Sequence, residues 1–252
     1  MIKAVLFDMG GVLHVCSGSP EREIWFAKRV LDRLAEYGIV LDTTPEELHE
    51  RMRANAKVYK AEVEESRREM STEIFWNDYL LKDYNIGRER ISYLSEELSF
   101  LYDYERVCNM RRPNLIKTME ELRAMGIRIG VISNIVSKTL VPHIMKEYGL
   151  EKYLECVLDS ANTGIRKPDA GIFRLAEEAM QLTPDEMAYV GDTLSRDVRG
   201  VRNAGWKIAI QIPCDSTPAR DAGVAGMGYA PDYLIEDLSE IPAIIAEFNR
   251  NN

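Results

Sequence analysis

The strongest constraint on the fold is a regular alternation of strand and helix patterns after Pro113. The strands are predicted at 127–133, 155–159, 187–192 and 207–212, and the helices at 114–125, 137–147, 169–180 and 196–204. A short strand near 233–235 and a C-terminal helix continue the series. Strands connected by helices of this length are typical of parallel sheets. The alternation therefore predicts an α/β fold with a doubly wound, Rossmann-like parallel sheet in a three-layer core.

A long helical block separates the first strand from this alternating region. The first strand, Lys3–Asp8, is an apolar run that suits a parallel strand buried on both faces. Between 20 and 102 only helical periodicity is found, with helices predicted at 20–37, 44–65, 71–82 and 88–102. We therefore expect a catalytic core of residues 1–15 and 108–252. Residues 16–107 are expected to form an inserted, all-helical cap domain over a cleft at the sheet edge.

Charge and composition limit the classes of partner. The 252 residues carry a formal net charge of −9, which argues against nucleic acid because binding to a phosphate backbone requires a basic surface. A metal ion and a few lysines can still make one site locally positive, so phosphorylated substrates remain compatible. We find neither a signal peptide nor an apolar run long enough for a membrane span, and expect no membrane partner. The four cysteines are scattered, which indicates reduced thiols in a cytoplasmic protein.

Polar residues recur where the predicted strands end. They are Asp8 at the end of the first strand, Ser133 and Asn134 at the end of the second, Lys167 after the third, and Asp192 and Asp197 at and after the end of the fourth. Ligands of open parallel sheets bind beyond the carboxyl ends of the strands, so we expect these residues to share a site. Each also fits a structural role alone, as a turn residue, a surface lysine or a helix cap. Together, the acids, the hydroxyl and the lysine are suited to binding a metal ion and a phosphate.

Four short motifs follow one another along the chain. They are FDMGGVL (7–13), VISN (131–134), RKPD (166–169) and GDTLSRD (191–197). In this order they resemble the haloacid dehalogenase superfamily of hydrolases, specifically its phosphatase-like members with a helical cap after the first strand. The resemblance covers essentially the whole chain. It implies a Mg²⁺-dependent phosphatase that acts on a small phosphorylated metabolite.

The resemblance also implies a nucleophile and a set of metal ligands. Asp8 would attack phosphorus in line, form an aspartyl-phosphate, and give its other oxygen to Mg²⁺. The backbone carbonyl of Gly10 and the carboxylate of Asp192 would be further ligands, which suits the preference of Mg²⁺ for oxygen. Asp197 is assigned to the same metal group, where it either orients the lysine or holds a metal-bound water.

Three residues are implied to bind the phosphate. The hydroxyl of Ser133 and the backbone amide of Asn134 would donate hydrogen bonds to phosphate oxygens. Lys167 would supply positive charge to the transferring group. Ser133 and Lys167 are therefore predicted as catalytic residues beside Asp8.

Gly10 departs from the pattern of the superfamily. Its phosphatases usually place a second aspartate here, two residues after the nucleophile, as the general acid and base. Loss of such a group typically reduces the rate by about 100- to 10,000-fold. Three alternatives follow: a substrate with a good leaving group, such as a sugar 1-phosphate, acyl phosphate or aryl phosphate; a substitute acid, for which His14 is the nearby candidate; or a binding module that regulates rather than catalyses.

A further enzyme alternative is a haloacid dehalogenase proper, which uses the same aspartate to displace halide without a metal. The acid pair of GDTLSRD (191–197) argues against it, because a metal-free enzyme has no use for these acids beside the nucleophile. The sequence carries no readable signal for the substrate, the specificity residues of the cap or the oligomeric state.

Overall fold

The computed structural model describes residues 1–252 and contains a six-stranded sheet. Its strands are β1 (Ala4–Phe7), β4 (Arg128–Ser133), β5 (Leu154–Asp159), β6 (Met187–Gly191), β7 (Ile208–Gln211) and β8 (Tyr233–Leu234), while β2 (His14–Ser17) and β3 (Cys108–Arg111) form a separate two-stranded sheet. The order β5-β4-β1-β6-β7-β8 is parallel throughout. The predicted doubly wound α/β core is therefore confirmed.

The helices lie close to their predicted positions. They are α1 (Pro20–Glu36), α2 (Pro45–Ser66), α3 (Thr72–Ile74), α4 (Arg88–Tyr104), α5 (Leu115–Ala124), α6 (Leu140–Glu147), α7 (Ser160–Thr163), α8 (Ala170–Met180), α9 (Arg199–Ala204), α10 (Thr217–Asp221) and α11 (Ile241–Asn251). The predicted helix 71–82 is not one regular α-helix. Only Thr72–Ile74 is α-helical, and a π-helical turn follows at Phe75–Leu80. No helix combines the length and the apolarity needed to cross a membrane.

The core sheet is covered by helices on both sides. All four residues of β1 are buried, as expected for a central strand with both faces covered. Helices α8 and α9 pack together, and the apolar cluster to which they contribute includes Phe173, Tyr189 and Trp206. Helix α5 packs against β4 and α11. Burial of this kind stabilises the core through the hydrophobic effect.

The chain divides into two compact units. The first consists of residues 1–15, 110–134 and 141–252, and the second of residues 16–109 and 135–140. The second unit has its own core, in which Phe26, Phe75 and Trp76 are fully buried. Helices α1, α2 and α4 and the π-helical turn supply most of this core, and Trp76 Nε1 donates a hydrogen bond to Ser99 Oγ at 3.0 Å.

The observed division differs from the predicted domain boundaries at 108–109 and 135–140. The second stretch joins the helical unit because two acids of α4 bind it. Asp103 Oδ2 accepts hydrogen bonds from the backbone amides of Val136 (3.2 Å) and Ser137 (3.1 Å). Glu96 Oε1 accepts hydrogen bonds from the Ser137 hydroxyl (2.8 Å) and the Thr139 amide (3.0 Å). Ser137 Oγ accepts from the amide of Leu140, so α6 begins at that residue rather than at 137.

Candidate active site

The topology brings three of the predicted polar positions to neighbouring strand ends. Strand β1 lies between β4 and β6, and Phe7 pairs with Val131 on one side and Val190 on the other. Asp8 directly follows β1, Ser133 ends β4, and Asp192 directly follows β6. The chain visits β4 and β5 on one side of β1 before it crosses to β6 on the other, which makes this edge the switch point at which ligands bind.

Lys167 is buried among these strand ends. Its Nζ lies 3.0 Å from Asp8 Oδ1 and 2.8 Å from Asp197 Oδ1, and its side chain is 1% exposed. The same ammonium donates to the Tyr189 hydroxyl at 2.8 Å and to the Ile132 carbonyl at 3.1 Å. A buried lysine surrounded by two carboxylates and two further acceptors is not a solvated loop residue, so the alternative of a surface lysine is excluded.

Asn134 holds the Lys167 loop in place. Its side-chain Nδ2 donates to the Lys167 carbonyl, and its Oδ1 accepts from the Lys167 amide, both at 2.9 Å. This contact was not anticipated, because the sequence analysis assigned Asn134 a role only through its backbone amide. The side chain therefore links the end of β4 to the lysine loop.

Both carboxylate oxygens of Asp197 have protein partners. Oδ1 pairs with Lys167, and Oδ2 accepts from the amide (3.0 Å) and the hydroxyl (2.6 Å) of Thr193. Gly191 lies against this side chain and leaves no room for a Cβ atom. Of the two roles left open for Asp197, orientation of Lys167 fits these contacts directly.

Asp192 has one oxygen that accepts no hydrogen bond. Its side chain is 0% exposed, and Oδ2 accepts from Arg220 Nη1 at 2.7 Å. Oδ1 is buried without a hydrogen-bond partner, and it forms only a long ion pair with Arg196 Nη2 at 3.8 Å. A buried carboxylate oxygen that accepts no hydrogen bond is unfavourable unless something else binds it.

The donor set at this edge fits a hard cation. One oxygen each from Asp8, Asp192 and Asp197 lies within 4.8 Å of the others. Mg²⁺ prefers carboxylate and carbonyl oxygens and retains several waters. Asp192 Oδ1, which accepts no hydrogen bond, and the Asp8 carboxylate are the protein groups available for such an ion.

The electrostatics of the three acids differ. Burial raises the pKa of Asp192 to about 7, and the neighbouring Asp197 and Asp8 add to that rise. Burial also raises the pKa of Asp8, although the positive charge of Lys167 opposes the shift. For Asp197 the effect of burial is outweighed by Lys167 and Arg196, which lower its pKa to about 2. A bound cation would relieve the repulsion that disfavours ionisation of Asp8 and Asp192.

The loop after Asp8 contains two glycines, of which only one could not be replaced by a residue with a Cβ atom. Gly11 has a φ of +94°, and a Cβ atom there would collide with the Asp192 side chain. Gly10 has no such restriction, because a Cβ atom would meet nothing within 4 Å and its φ lies outside the left-handed region. Arg112 fixes this loop by donating from Nη2 to the Gly11 carbonyl at 2.7 Å. The position of Gly10 therefore has room for a Cβ atom.

His14, the candidate substitute acid, is buried in an apolar setting. Its ring meets Tyr148 edge to face at a centroid distance of 5.9 Å, and its Nδ1 has no hydrogen-bond partner. Burial lowers the pKa of His14 to about 4. The imidazole is therefore neutral near pH 7, which makes it unsuitable as a general acid.

Sequence reasoning missed the residues that surround Asp192. Arg220 and Cys214 come from the loop-rich stretch 213–232. Arg220 contacts Asp192 Oδ2, and Cys214 Sγ lies 3.4 Å from the same oxygen. Neither residue has a strand end or a motif to signal it.

Comparison with known proteins identifies the family. The model of the haloacid dehalogenase-like hydrolases matches residues 2–205. The chain belongs to this family. It is therefore an enzyme of the hydrolase class, and the four motifs of the sequence analysis were correctly assigned.

Relatives and solved structures are similar to the whole chain or to part of it. A glyceraldehyde 3-phosphate phosphatase of Methanopyrus kandleri is 25% identical over 262 residues and covers 100% of both chains. A phosphoserine phosphatase of Thermus thermophilus is 30% identical over 151 residues, 58% of this chain and 56% of that protein. The structure is also similar to a 2-haloacid dehalogenase from Pseudomonas syringae, with a TM-score of 0.64, 25% identity and coverage of 98% and 100%. An HAD phosphatase from Thermococcus onnurineus has a TM-score of 0.60, 25% identity and coverage of 97% and 98%.

Proposed function

We propose that the protein is a Mg²⁺-dependent phosphatase that hydrolyses a small phosphorylated metabolite through an aspartyl-phosphate on Asp8. The observation that carries this proposal is the buried group formed by Asp8, Lys167 and the Asp192 oxygen that accepts no hydrogen bond. A nucleophilic carboxylate beside a fixed ammonium and a cation site is suited to attack on an anionic phosphate. Relatives named as phosphatases of small phosphate esters support a small phosphorylated metabolite as the substrate. The esters in those names are alkyl phosphates, so the preference for a good leaving group rests on Gly10 alone.

The first step transfers the phosphoryl group to the protein. An Asp8 oxygen forms a bond to phosphorus while the ester P–O bond breaks, and the leaving group departs with the electron pair. Lys167 Nζ, fixed 3.0 Å from Asp8 Oδ1, stabilises negative charge on the transferring group. Ser133, buried at the end of β4, and the backbone amide of Asn134 are proposed to bind the phosphate oxygens.

The second step returns Asp8 to its free form. Water attacks phosphorus, the P–O bond to Asp8 breaks, and phosphate leaves. Asp8, Asp192 and the Gly10 carbonyl are the proposed ligands of Mg²⁺, with Asp197 acting through Lys167. When bound, the ion would offset the repulsion between the anionic nucleophile and the anionic phosphate.

Gly10 directs the proposal towards substrates with good leaving groups. No side chain occupies the position of the usual acid, and the neutral, buried His14 does not replace it. Sugar 1-phosphates, acyl phosphates and aryl phosphates need little protonation of the departing oxygen, so they suit this site.

The metal and the nucleophile can be tested together. Hydrolysis of an aryl phosphate should stop on addition of EDTA and return with excess Mg²⁺. Asp8→Asn, a nearly isosteric change, should abolish turnover while the protein stays folded. Asp185→Asn, at a side chain that is 82% exposed, is the matched control and should retain activity. Full activity in the presence of EDTA would contradict the proposal.

A 2-haloacid dehalogenase is the second candidate, because the similar Pseudomonas structure has that name. In that reaction the aspartate displaces halide from carbon and no metal is needed. The buried Asp192 Oδ1, which accepts no hydrogen bond, favours the phosphatase instead. Chloride release from a 2-chloro acid in the presence of EDTA would favour the dehalogenase.

A further inference from the structure

The segment Cys214–Asp221, which ends with α10, makes a concentrated set of contacts with Asp192. Thr217 Oγ1 donates to the Asp192 carbonyl oxygen at 3.0 Å. The same oxygen accepts a hydrogen bond at 3.1 Å from Gln211 Nε2, which lies outside the segment, at the end of β7. Arg220 Nη1 donates to Oδ2 of the carboxylate at 2.7 Å. Asp192 is therefore held at both its backbone and its side chain.

The same segment also fixes the residues that follow Asp192. Asp221 Oδ2 accepts from the amide of Leu194 at 2.8 Å, and its Oδ1 accepts from the amide of Ser195 at 2.9 Å. Thr217 and Asp221 are both buried, so these bonds are shielded from competition with water. The loop after β6 is bound at several points along its length.

The two carboxylate oxygens of Asp192 differ in their hydrogen bonds. Arg220 occupies Oδ2, while Oδ1 accepts no hydrogen bond. Rotation of the carboxylate would break the contact with Arg220. The contact therefore selects which oxygen is presented to a ligand.

We propose that the Cys214–Asp221 segment is a positioning element for Asp192, and that Thr217 and Arg220 direct Asp192 Oδ1 towards the cation. The inference rests on the proposed Mg²⁺ site. Mg²⁺ requires near-ideal octahedral geometry, so a misdirected carboxylate binds it poorly. Residues that orient metal ligands typically change metal affinity by about 10- to 100-fold when they are replaced.

Thr217→Val is the sharpest test, because it removes the hydroxyl with little change in shape and none in charge. The Mg²⁺ dissociation constant, measured by calorimetry on the full chain without substrate, should rise about 10-fold. Thr217→Ser keeps the hydroxyl and should restore affinity. Thr183→Val removes a hydroxyl that donates to Glu186 at 3.1 Å, away from the Asp192 loop, and should bind Mg²⁺ like the wild type.

Kinetic measurements distinguish a misplaced Asp192 carboxylate from a general loss of structure in the variant. Saturating Mg²⁺ should restore the kcat of Thr217→Val, because Asp8 and Lys167 are unchanged, while the Mg²⁺ concentration for half activation should rise by the same factor as the dissociation constant. A folded Thr217→Val protein with wild-type Mg²⁺ affinity would overturn the inference.

Arg220→Lys provides an independent variant if Thr217→Val does not fold. The Arg220 side chain is 30% exposed, and lysine keeps the charge while it removes the short guanidinium contact. A rise of about 10-fold in the dissociation constant supports the inference, and an unchanged constant overturns it. Absence of Mg²⁺ binding by the wild type is a separate result, since it contradicts the proposed metal site before any variant is made.

Discussion

Lys167 and Asp197 form an ion pair of 2.8 Å between two side chains that are each 1% exposed. The second oxygen of Asp197 is bound by the amide and hydroxyl of Thr193. The carboxylate therefore holds the ammonium in a fixed position beside Asp8. An acid that the sequence analysis assigned to the metal group is, by its contacts, a partner of the lysine.

Replacement of Lys167 should impair both binding and turnover. We expect Lys167→Met to raise KM for phosphate substrates and to lower kcat, because the ammonium stabilises charge in the ground state and in the transition state. Lys207→Met is the matched control, since Lys207 forms a long, exposed ion pair with Asp185 at 3.8 Å. Steady-state kinetics of the two variants provide the test. Unchanged constants for Lys167→Met would remove the lysine from the proposed site.

Asp197→Asn should lower stability as well as activity. The change leaves a buried ammonium with one carboxylate partner fewer, and breaking a buried ion pair typically costs about 3–5 kcal/mol. Denaturant unfolding should therefore show a clear loss relative to the wild type. Asp232→Asn, which breaks a half-exposed pair with Arg202 at 3.0 Å, should cost less than about 1 kcal/mol. Equal losses for the two variants would contradict the structural role of Asp197.

Asp8, Ser133 and Asp192 could be placed at one edge of the sheet from the sequence because the carboxyl ends of parallel strands meet there, and the apolar runs mark those ends clearly. Lys167 lies eight residues after the end of β5, so its burial among them needed the structure. Arg220 could not be predicted in the same way. It contacts Asp192 across 28 residues of sequence, from a short helix in a loop-rich stretch with no strand end to locate it.

The boundaries of the helical unit could not be predicted from the sequence either. The stretch 135–140 directly follows Asn134 in sequence, so the alternating pattern assigned it to the core. Its association with α4 depends on hydrogen bonds to Glu96 and Asp103. Such contacts between distant residues leave no periodic trace in the sequence, whereas the apolar faces of the helices do.

His14 should make the protein less stable in mild acid. Burial lowers its pKa to about 4 from 6.5, so the folded state favours the neutral imidazole. This contribution is fully present above pH 6.5 and is lost as the pH falls towards 4. The loss attributable to this one group amounts to about 3 kcal/mol.

Comparison of unfolding free energies at pH 7 and pH 4.5 tests this expectation. His14→Phe retains a ring against Tyr148 and removes the titrating group, so it should lose less stability between the two pH values than the wild type. His143→Gln, at a side chain that is 46% exposed, should keep the wild-type difference. An identical pH dependence in His14→Phe and the wild type would show that the imidazole is not the group responsible.

The absence of a side chain at Gly10 should make the rate depend steeply on the leaving group. An enzyme with a general acid protonates the departing oxygen, which weakens the dependence of rate on leaving-group pKa. Here the oxygen must leave with more negative charge. Aryl, acyl and anomeric phosphates should therefore react faster than simple alkyl phosphates by about 100-fold, the lower end of the contribution of acid–base catalysis. Rates across a series of phosphate esters provide the measurement, and a flat series would show that another group supplies the proton.

Gly10→Asp tests the same relationship by restoring the side chain. A Cβ atom at this position would meet nothing within 4 Å, and the φ of Gly10 is outside the left-handed region, so the backbone should accept aspartate without strain. The variant should gain selectively on alkyl phosphates, because these esters benefit most from protonation of the leaving oxygen. Gly10→Asn is the matched control: its side chain has nearly the same size but is a poor proton donor, so the gain should be absent. Equal gains from both substitutions would assign the effect to loop packing rather than to acid catalysis. A rate increase in Gly10→Asp but not in Gly10→Asn would show that the leaving-group dependence arises because position 10 has no proton donor.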